Sequence, residues 1–357
     1  MSSCVRCGST ESRRVLRCGG FDHAAERFDL AECCGCRLVS LSPLPGPDEL
    51  ARYYNDAYYG GGASGKFTPV MEAGVRLANR ARAAELVAEW KASRRAARGT
   101  PAPGTPSDSG RVLDVGCGRG HLLTAMAQRG WECYGTELSA FPADERPQTP
   151  GAGRVTILRG AVEDLPLEDA FFDVVSIWHV LEHVRNPSTT LRTIARTLKP
   201  GGVLALAVPN YSSLQRIIFG RHWFHLDCPR HLYHFRKRLL LEWLDETGLT
   251  VARVGTFSAE QNLFGFVQSA LNVLFGWRRP NAFYHLLRRS HEAPGSAAAT
   301  SKRLLGLLGY AAMATAVFPL AVIEAVAAAV TGTGATLVVY ARRADRESAG
   351  DAGGPHA

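Results

Sequence analysis

With 357 residues, a net charge of +8 and a mean hydropathy of -0.07, the chain is long enough for one large core with an appendage and too apolar to be disordered. Its basic residues are mostly arginine and scattered over most of the chain, more a compositional bias than a nucleic-acid footprint, so no nucleic-acid partner is expected, while a weak pull toward anionic substrates or membrane surfaces stays open. The start, MSSCVRCGS, has no apolar stretch after a basic one, so a cytoplasmic chain is expected, and there nine cysteines point to metal rather than disulfides.

In chain order, Cys4-x-x-Cys7 and Cys33-x-x-Cys36 come first. Each pair sets two thiolates on one turn, and four thiolates close a water-free tetrahedral site of the structural Zn2+ type. Cys18 and Cys34 are left over, with Cys34 competing with Cys33 for register; free thiols are the bland alternative. This knuckle is set at residues 1–45 and a helical segment with linker at 46–110. Within it Tyr53, Tyr54, Tyr58 and Tyr59 either roof a pocket or pack the knuckle against the main domain. Thr68 to Arg98 carries helical spacing, and the Pro/Gly/Ser stretch up to Gly110 reads as the linker.

The core is set at 111–257. Val112, Leu113 and Val115 mark a buried parallel strand; Gly116, Gly118 and Gly120 follow at every second residue before helical spacing resumes at Leu122. A strand, glycine turn and helix in that order let backbone approach a ligand and offer it free N–H groups. The dinucleotide fingerprint G-x-G-x-x-G is not met, because its last position falls on His121. Trp131 to Thr136 reads as a second strand ending at Glu137, about 20 residues past the turn, where a carboxylate accepts both hydroxyls of a ribose. Arg154 to Leu158 and Asp173 to Trp178 read as further strands. A helix over Pro187 to Leu198, the turn Lys199-Pro200-Gly201-Gly202 and a fifth strand, VLALAVPN, follow.

HVLEHV sits after the fourth strand, at the sheet edge where open α/β folds bind ligands. If the turn is helical, His179, Glu182 and His183 share one face. His183 is then either the base for a substrate hydroxyl or part of a cap that orients the turn. The loop after the fifth strand holds His222, His225, Arg230, His231 and His234; His231 is the expected second catalytic residue, with Arg230 for an anionic substrate group. An amphipathic helix, RKRLLLEWLDETG, and a sixth strand, LTVARVGTF, close this region. Residues 258–334 are long and apolar and are expected to form a helical lid, with peripheral membrane contact or true spans as alternatives. ATLVVYARR, 335–343, reads as the last strand and 344–357 as a disordered tail.

The run RVLDVGCGRG resembles motif I of the class I S-adenosylmethionine-dependent methyltransferases, and the order, spacing and KPGG turn that follow, through Val254, are similar to that family. The resemblance implies an α/β fold: a seven-stranded Rossmann-like sheet with its last strand antiparallel. It implies S-adenosyl-L-methionine held by Asp114, Gly116, Cys117, Gly118, Gly120 and Glu137, with Val162, Glu163, Trp178 and His179 completing the site. Relatives often carry an aspartate where Ala161 stands, so the contact near the adenine passes to Glu163 or to the backbone at Val162.

CxxCG followed by CxxCGLVxxxP, in bacterial sugar and secondary-metabolite methyltransferases, is similar to the N-terminal half, with Arg37 here in place of a glycine. HVLEHV also resembles some quinone-pathway O-methyltransferases, which have Glu where His179 stands, and this opens a metal-binding reading. The expected activity is O-methylation of a small-molecule acceptor, a sugar or secondary metabolite. C-methylation of a nucleotide-sugar and a lipid-like or quinone acceptor at a membrane are the enzymatic alternatives. A zinc-ribbon adaptor with a non-catalytic fold is the non-enzymatic one.

Overall fold

The computed structural model describes residues 3–23, 25–54, 67, 69–98, 109–138, 154–276, 279–288 and 297–344. Tyr58, Tyr59, linker residues 99–108 and the tail from 345 lie outside the described residues. The knuckle is an antiparallel ribbon of β1 (Ser12–Gly19), β2 (Arg27–Cys33) and β3 (Val39–Leu41), followed by the short α1 (Pro47–Ala51). A long helix, α2 (Pro69–Arg98), leads to the main sheet.

That sheet is built from β4 (Arg111–Val115), β5 (Glu132–Glu137), β6 (Val155–Arg159), β7 (Phe172–Trp178) and β8 (Leu198–Pro209), all parallel to one another. Both faces are covered, which is why Val112, Leu113, Val174, Val175 and Leu204 are apolar without alternation. Helix α3 (His121–Ala127) links β4 to β5, and α4 (Pro187–Thr197) links β7 to β8. The Asn186 side chain accepts the Thr189 N–H (3.2 Å) and caps α4, a contribution of about 1 kcal/mol.

After β8 come α5 (Leu214–Phe219), β9 (Tyr233–His234), α6 (Lys237–Glu246) and β10 (Leu249–Gly255). The apolar segment forms α7 (Ala259–Phe275), α8 (Ala282–Leu287) and α9 (Ala297–Thr331), and β11 (Thr336–Arg343) ends the fold. Spatial order is β10-β11-β8-β7-β4-β5-β6, with β11 antiparallel to both neighbours, as the sequence reading expects.

Two apolar layers cover the sheet. On one face Leu86 and Trp90 of α2 and Leu122 and Met126 of α3 pack around Trp131, whose ring lies 4.8 Å from Trp90. On the other, Ile194 of α4 and Trp243 of α6 belong to a core that runs without a break into Leu30 and Val39 of the knuckle. Each fully buried Leu, Ile or Val contributes roughly 1.5–3 kcal/mol. The knuckle sheet takes its fourth strand, β9, from the loop after β8, so the polypeptide after the fifth core strand is pinned to the N-terminus.

Candidate functional site: the carboxyl edge of the sheet

One half of the candidate site lies where β4 and β5 end. Gly116, Gly118 and Gly120 all have positive φ (68°, 48° and 72°), which L side chains resist, and Gly120 starts α3. A Cβ on Gly116 would stand 2.5 Å from Val180 Cγ2, whereas one on Gly118 would meet open space. The turn is tied to β5: the Cys117 N–H donates to the Thr136 carbonyl (2.9 Å) and the Gly118 N–H to Glu137 Oε2 (2.9 Å). Asp114 is buried two residues before the turn, paired across the sheet with Gly135.

Val162 is buried at the head of a single 3-10 turn, and Glu163 accepts a hydrogen bond from Thr190 Oγ1 of α4 (3.3 Å). Helix α2 closes the other side. Its Arg82 guanidinium lies 3.8 Å over the Trp178 ring, and burial pushes that guanidinium below its usual range. Glu72 approaches His121 (3.7 Å), whose pKa is lowered, chiefly by burial.

In the other half, HVLEHV is not helical, so the condition for His179, Glu182 and His183 to share a helical face is not met. The chain leaves β7 with His179 at φ +55° and makes a turn over residues 181–183 instead. His179, Glu182 and His183 still converge, but through this turn. His179 Nδ1 donates to Glu182 Oε1 (3.2 Å). His183 Nδ1 lies 3.0 Å from the Arg230 carbonyl and 2.9 Å from the Tyr54 hydroxyl. A carbonyl only accepts, so Nδ1 carries the proton and Nε2 the lone pair.

His231 Nδ1 likewise donates to the His225 carbonyl (2.9 Å), leaving Nε2 3.9 Å from Glu182 and 3.8 Å from Asp227. The rings of His183 and His231 are 4.6 Å apart. Burial, then the neighbouring His183, holds His231 well below its usual pKa, so it is neutral. Glu182 is fully buried, no Lys or Arg pairs with it among the described residues, and its Oε2 has no hydrogen-bond partner there. A buried carboxylate facing histidines alone is a site made for a proton or a cation.

Arg230 does not serve the role expected of it. It is buried and committed to Asp22 (2.8 Å) and Asp227 (2.6 Å), so it braces the loop instead of meeting a substrate anion. The residues missed in the sequence are Asp227, Arg82 and the partnership of Tyr54 with His183. The i, i+3, i+4 spacing of Asp227, Arg230 and His231 is a usable signal for the first; Arg82 has none, being one of many arginines on α2.

The knuckle brings its four cysteines together: Cys4 Sγ lies 3.5 Å from Cys36 Sγ and Cys7 Sγ 3.6 Å from Cys33 Sγ, with all four within 4.8 Å of one another. Zn–S bonds of about 2.3 Å put tetrahedral sulfurs about 3.8 Å apart, so the set fits. Burial alone would raise the Cys33 thiol, but backbone N–H groups of Cys36 and Gly35 with the Cys7 thiol bring it down to about 7. Cys34 is exposed and outside the cluster, which resolves the register; Cys18 instead faces Cys228, with sulfurs 3.1 Å apart. Arg37 sits at φ +68°, the physical reason a glycine suits that position.

Residues 83–254, just under half of the chain, match the family model described as a methyltransferase domain. Sheet order and the glycine turn make this a Rossmann-like α/β fold with its last strand antiparallel, and the matched stretch is similar to methyltransferase domains. The chain is 33% identical over 152 residues to a ubiquinone biosynthesis O-methyltransferase of Haemophilus ducreyi, covering 39% of this chain and 64% of the relative. It is 34% identical over 152 residues to the same-named protein of Leptothrix cholodnii, covering 40% and 65%. It therefore spans a little under two thirds of the length of these curated relatives. A structure titled S-adenosylmethionine dependent methyltransferase from Mesorhizobium loti is 20% identical, covers 72% of this chain and 98% of its own, and superposes with a TM-score of 0.40.

Proposed function

We propose that the chain transfers a methyl group from S-adenosylmethionine to a hydroxyl of a small acceptor. The observation that carries this reading is the meeting of the glycine turn with Glu137: the carboxylate is held by the Gly118 N–H, and the space over Gly118 is open. When bound, the sulfonium supplies an already activated methyl group. Glu137 would receive its ribose hydroxyls, and Asp114, Gly116, Cys117, Gly118 and Gly120 its amino-acid portion. Val162, Glu163, Trp178 and His179 would bound the remainder.

The protein's own work is then to align the acceptor, exclude water and take the hydroxyl proton. His183 is the better base, because its tautomer leaves Nε2 free and it is less buried than His231; general base catalysis is worth ~10²–10⁴-fold. His231, neutral and wedged between two carboxylates, would hold the acceptor hydroxyl. Cys4, Cys7, Cys33 and Cys36 would hold a structural Zn2+ that fixes the knuckle against β9.

The resemblance of the N-terminal half favours a sugar or secondary-metabolite hydroxyl as acceptor; the names of the relatives favour a quinone-type phenol. A second reading gives Glu182, His183 and His231 a divalent cation, favoured by the buried Glu182 Oε2, which has no hydrogen-bond partner among the described residues, and by the 4.8 Å span of the three.

Calorimetry with S-adenosylmethionine should give a binding heat, and its demethylated product should be released on adding the right acceptor from a panel of phenols, polyprenyl compounds and sugar nucleotides. No heat with donor or product would remove the enzyme reading and leave the adaptor. Metal analysis should find about one zinc per chain, lost when Cys4 and Cys7 become Ser.

A further inference from the structure

Helix α9 is built inside out for a soluble lid. Its buried stripe is small and polar, Ala321, Glu324, Ala325 and Ala328, while its large side chains face solvent: Phe318, Leu320, Val322, Ile323, Val326 and Val330, between 40% and 82% exposed. A lid helix folded for water alone turns its Leu, Ile and Val inward. Leu308–Thr331 has a mean hydropathy of 2.0 with 22% of it buried. The surface does not stop there. Helix α5, which packs against α7 and α9, exposes Ile217 and Ile218, and α7 exposes Val273 and Leu274.

We infer that α5, α7 and α9 form a docking face for an anionic lipid bilayer, on which the protein lies without crossing. Charge selects this occupant. Between Gly276 and Leu304 the sequence carries Arg278, Arg279, Arg288, Arg289, Lys302 and Arg303 against Glu292 alone, and from Leu304 to Ala341 its only charge is Glu324. Glu324 is buried and accepts from Gln215 Nε2 (2.9 Å), so the exposed apolar face shows no carboxylate of its own. An apolar face next in sequence to a basic segment, with Arg279 exposed just past α7, is the pattern that suits an anionic leaflet, whereas a second copy would bring the same like charge.

Anchoring excludes a span. The C-terminal half of α9 is fixed to the body by the Glu324–Gln215 bond and by the Leu214 N–H to the Thr333 carbonyl (2.9 Å), and β11 pairs into the core sheet directly after it. The same α7 holds the acceptor loop, through His225 Nε2 with the Gln261 carbonyl (3.1 Å) and the Phe224 N–H with Ser269 Oγ (2.9 Å). A leaflet beneath α7 and α9 would thus adjoin the loop that carries His231. The inference needs no methyl transfer and is read without it.

The test is sedimentation of the full-length protein with vesicles of phosphatidylcholine alone or mixed with phosphatidylglycerol, alongside light scattering without lipid. The protein should pellet with the anionic vesicles, less with neutral ones and less at high salt. The double variant Ile323→Glu/Val326→Glu, on exposed positions, should lower binding by about tenfold or more with an unchanged melting curve. Ile218→Glu on α5 gives an independent second probe should the double variant melt early. Recovery in the supernatant with both vesicles, or variants that bind like the wild type, would overturn the inference. So would a lipid-free dimer that the variants dissociate, which would assign the face to a second copy.

Discussion

The two halves of the candidate site are made by different means. The proposed donor half is one continuous stretch, Arg111 to Glu137, where backbone N–H groups of glycines at positive φ are answered by one carboxylate. The acceptor half collects Tyr54, the 179–183 turn and the 225–231 loop from three distant places and works through side chains: four imidazoles, Glu182 and Asp227. Backbone recognition needs local chain geometry alone, so it leaves a motif. Side-chain recognition needs the whole fold to hold it, so it leaves scattered residues.

The largest expected effect strikes the donor half. Gly118→Arg places a long side chain in the open space above the turn at φ +48°, and S-adenosylmethionine affinity should fall by about 100-fold or more, roughly 2.7 kcal/mol, in calorimetry. Undiminished affinity would break the assignment of that half. Next, His183→Ala should lower kcat by ~10²–10⁴-fold while donor affinity stays near wild type, because the residue belongs to the other half. A parallel loss of donor binding would show that the halves are not separable.

The third effect is acid sensitivity of the acceptor half. Burial lowers His225 and His234 from 6.5 to about 3. The unfolded chain takes up a proton on each near 6.5, and the folded chain does not until far lower pH. The unfolded state therefore binds more protons below 6.5, and stability is lost as pH falls through that value, by about 2 kcal/mol per histidine at pH 5. The melting temperature should drop between pH 7.5 and 5, and His234→Gln should flatten the slope. The smallest effect lies outside the candidate site. Arg37→Gly relieves a left-handed arginine and should change stability by about 1 kcal/mol or less in the stabilising direction, because Glu32 keeps Arg13 and Arg236 when its pair with Arg37 is lost.

What the sequence alone determined is whatever short-range chemistry dictates. Apolar runs without alternation marked the parallel strands, the glycine spacing marked the turn, and two C-x-x-C pairs marked the thiol cluster, because each of these is decided within a few residues. Tertiary structure alone decided the rest. It bent HVLEHV into a turn at His179, committed Arg230 to two aspartates, and carried Tyr233–His234 across to finish the knuckle sheet. It also turned the large side chains of α9 outward. Those outcomes depend on which distant group is near enough to neutralise a charge, complete a strand or cover a face, and no local pattern in the chain records that.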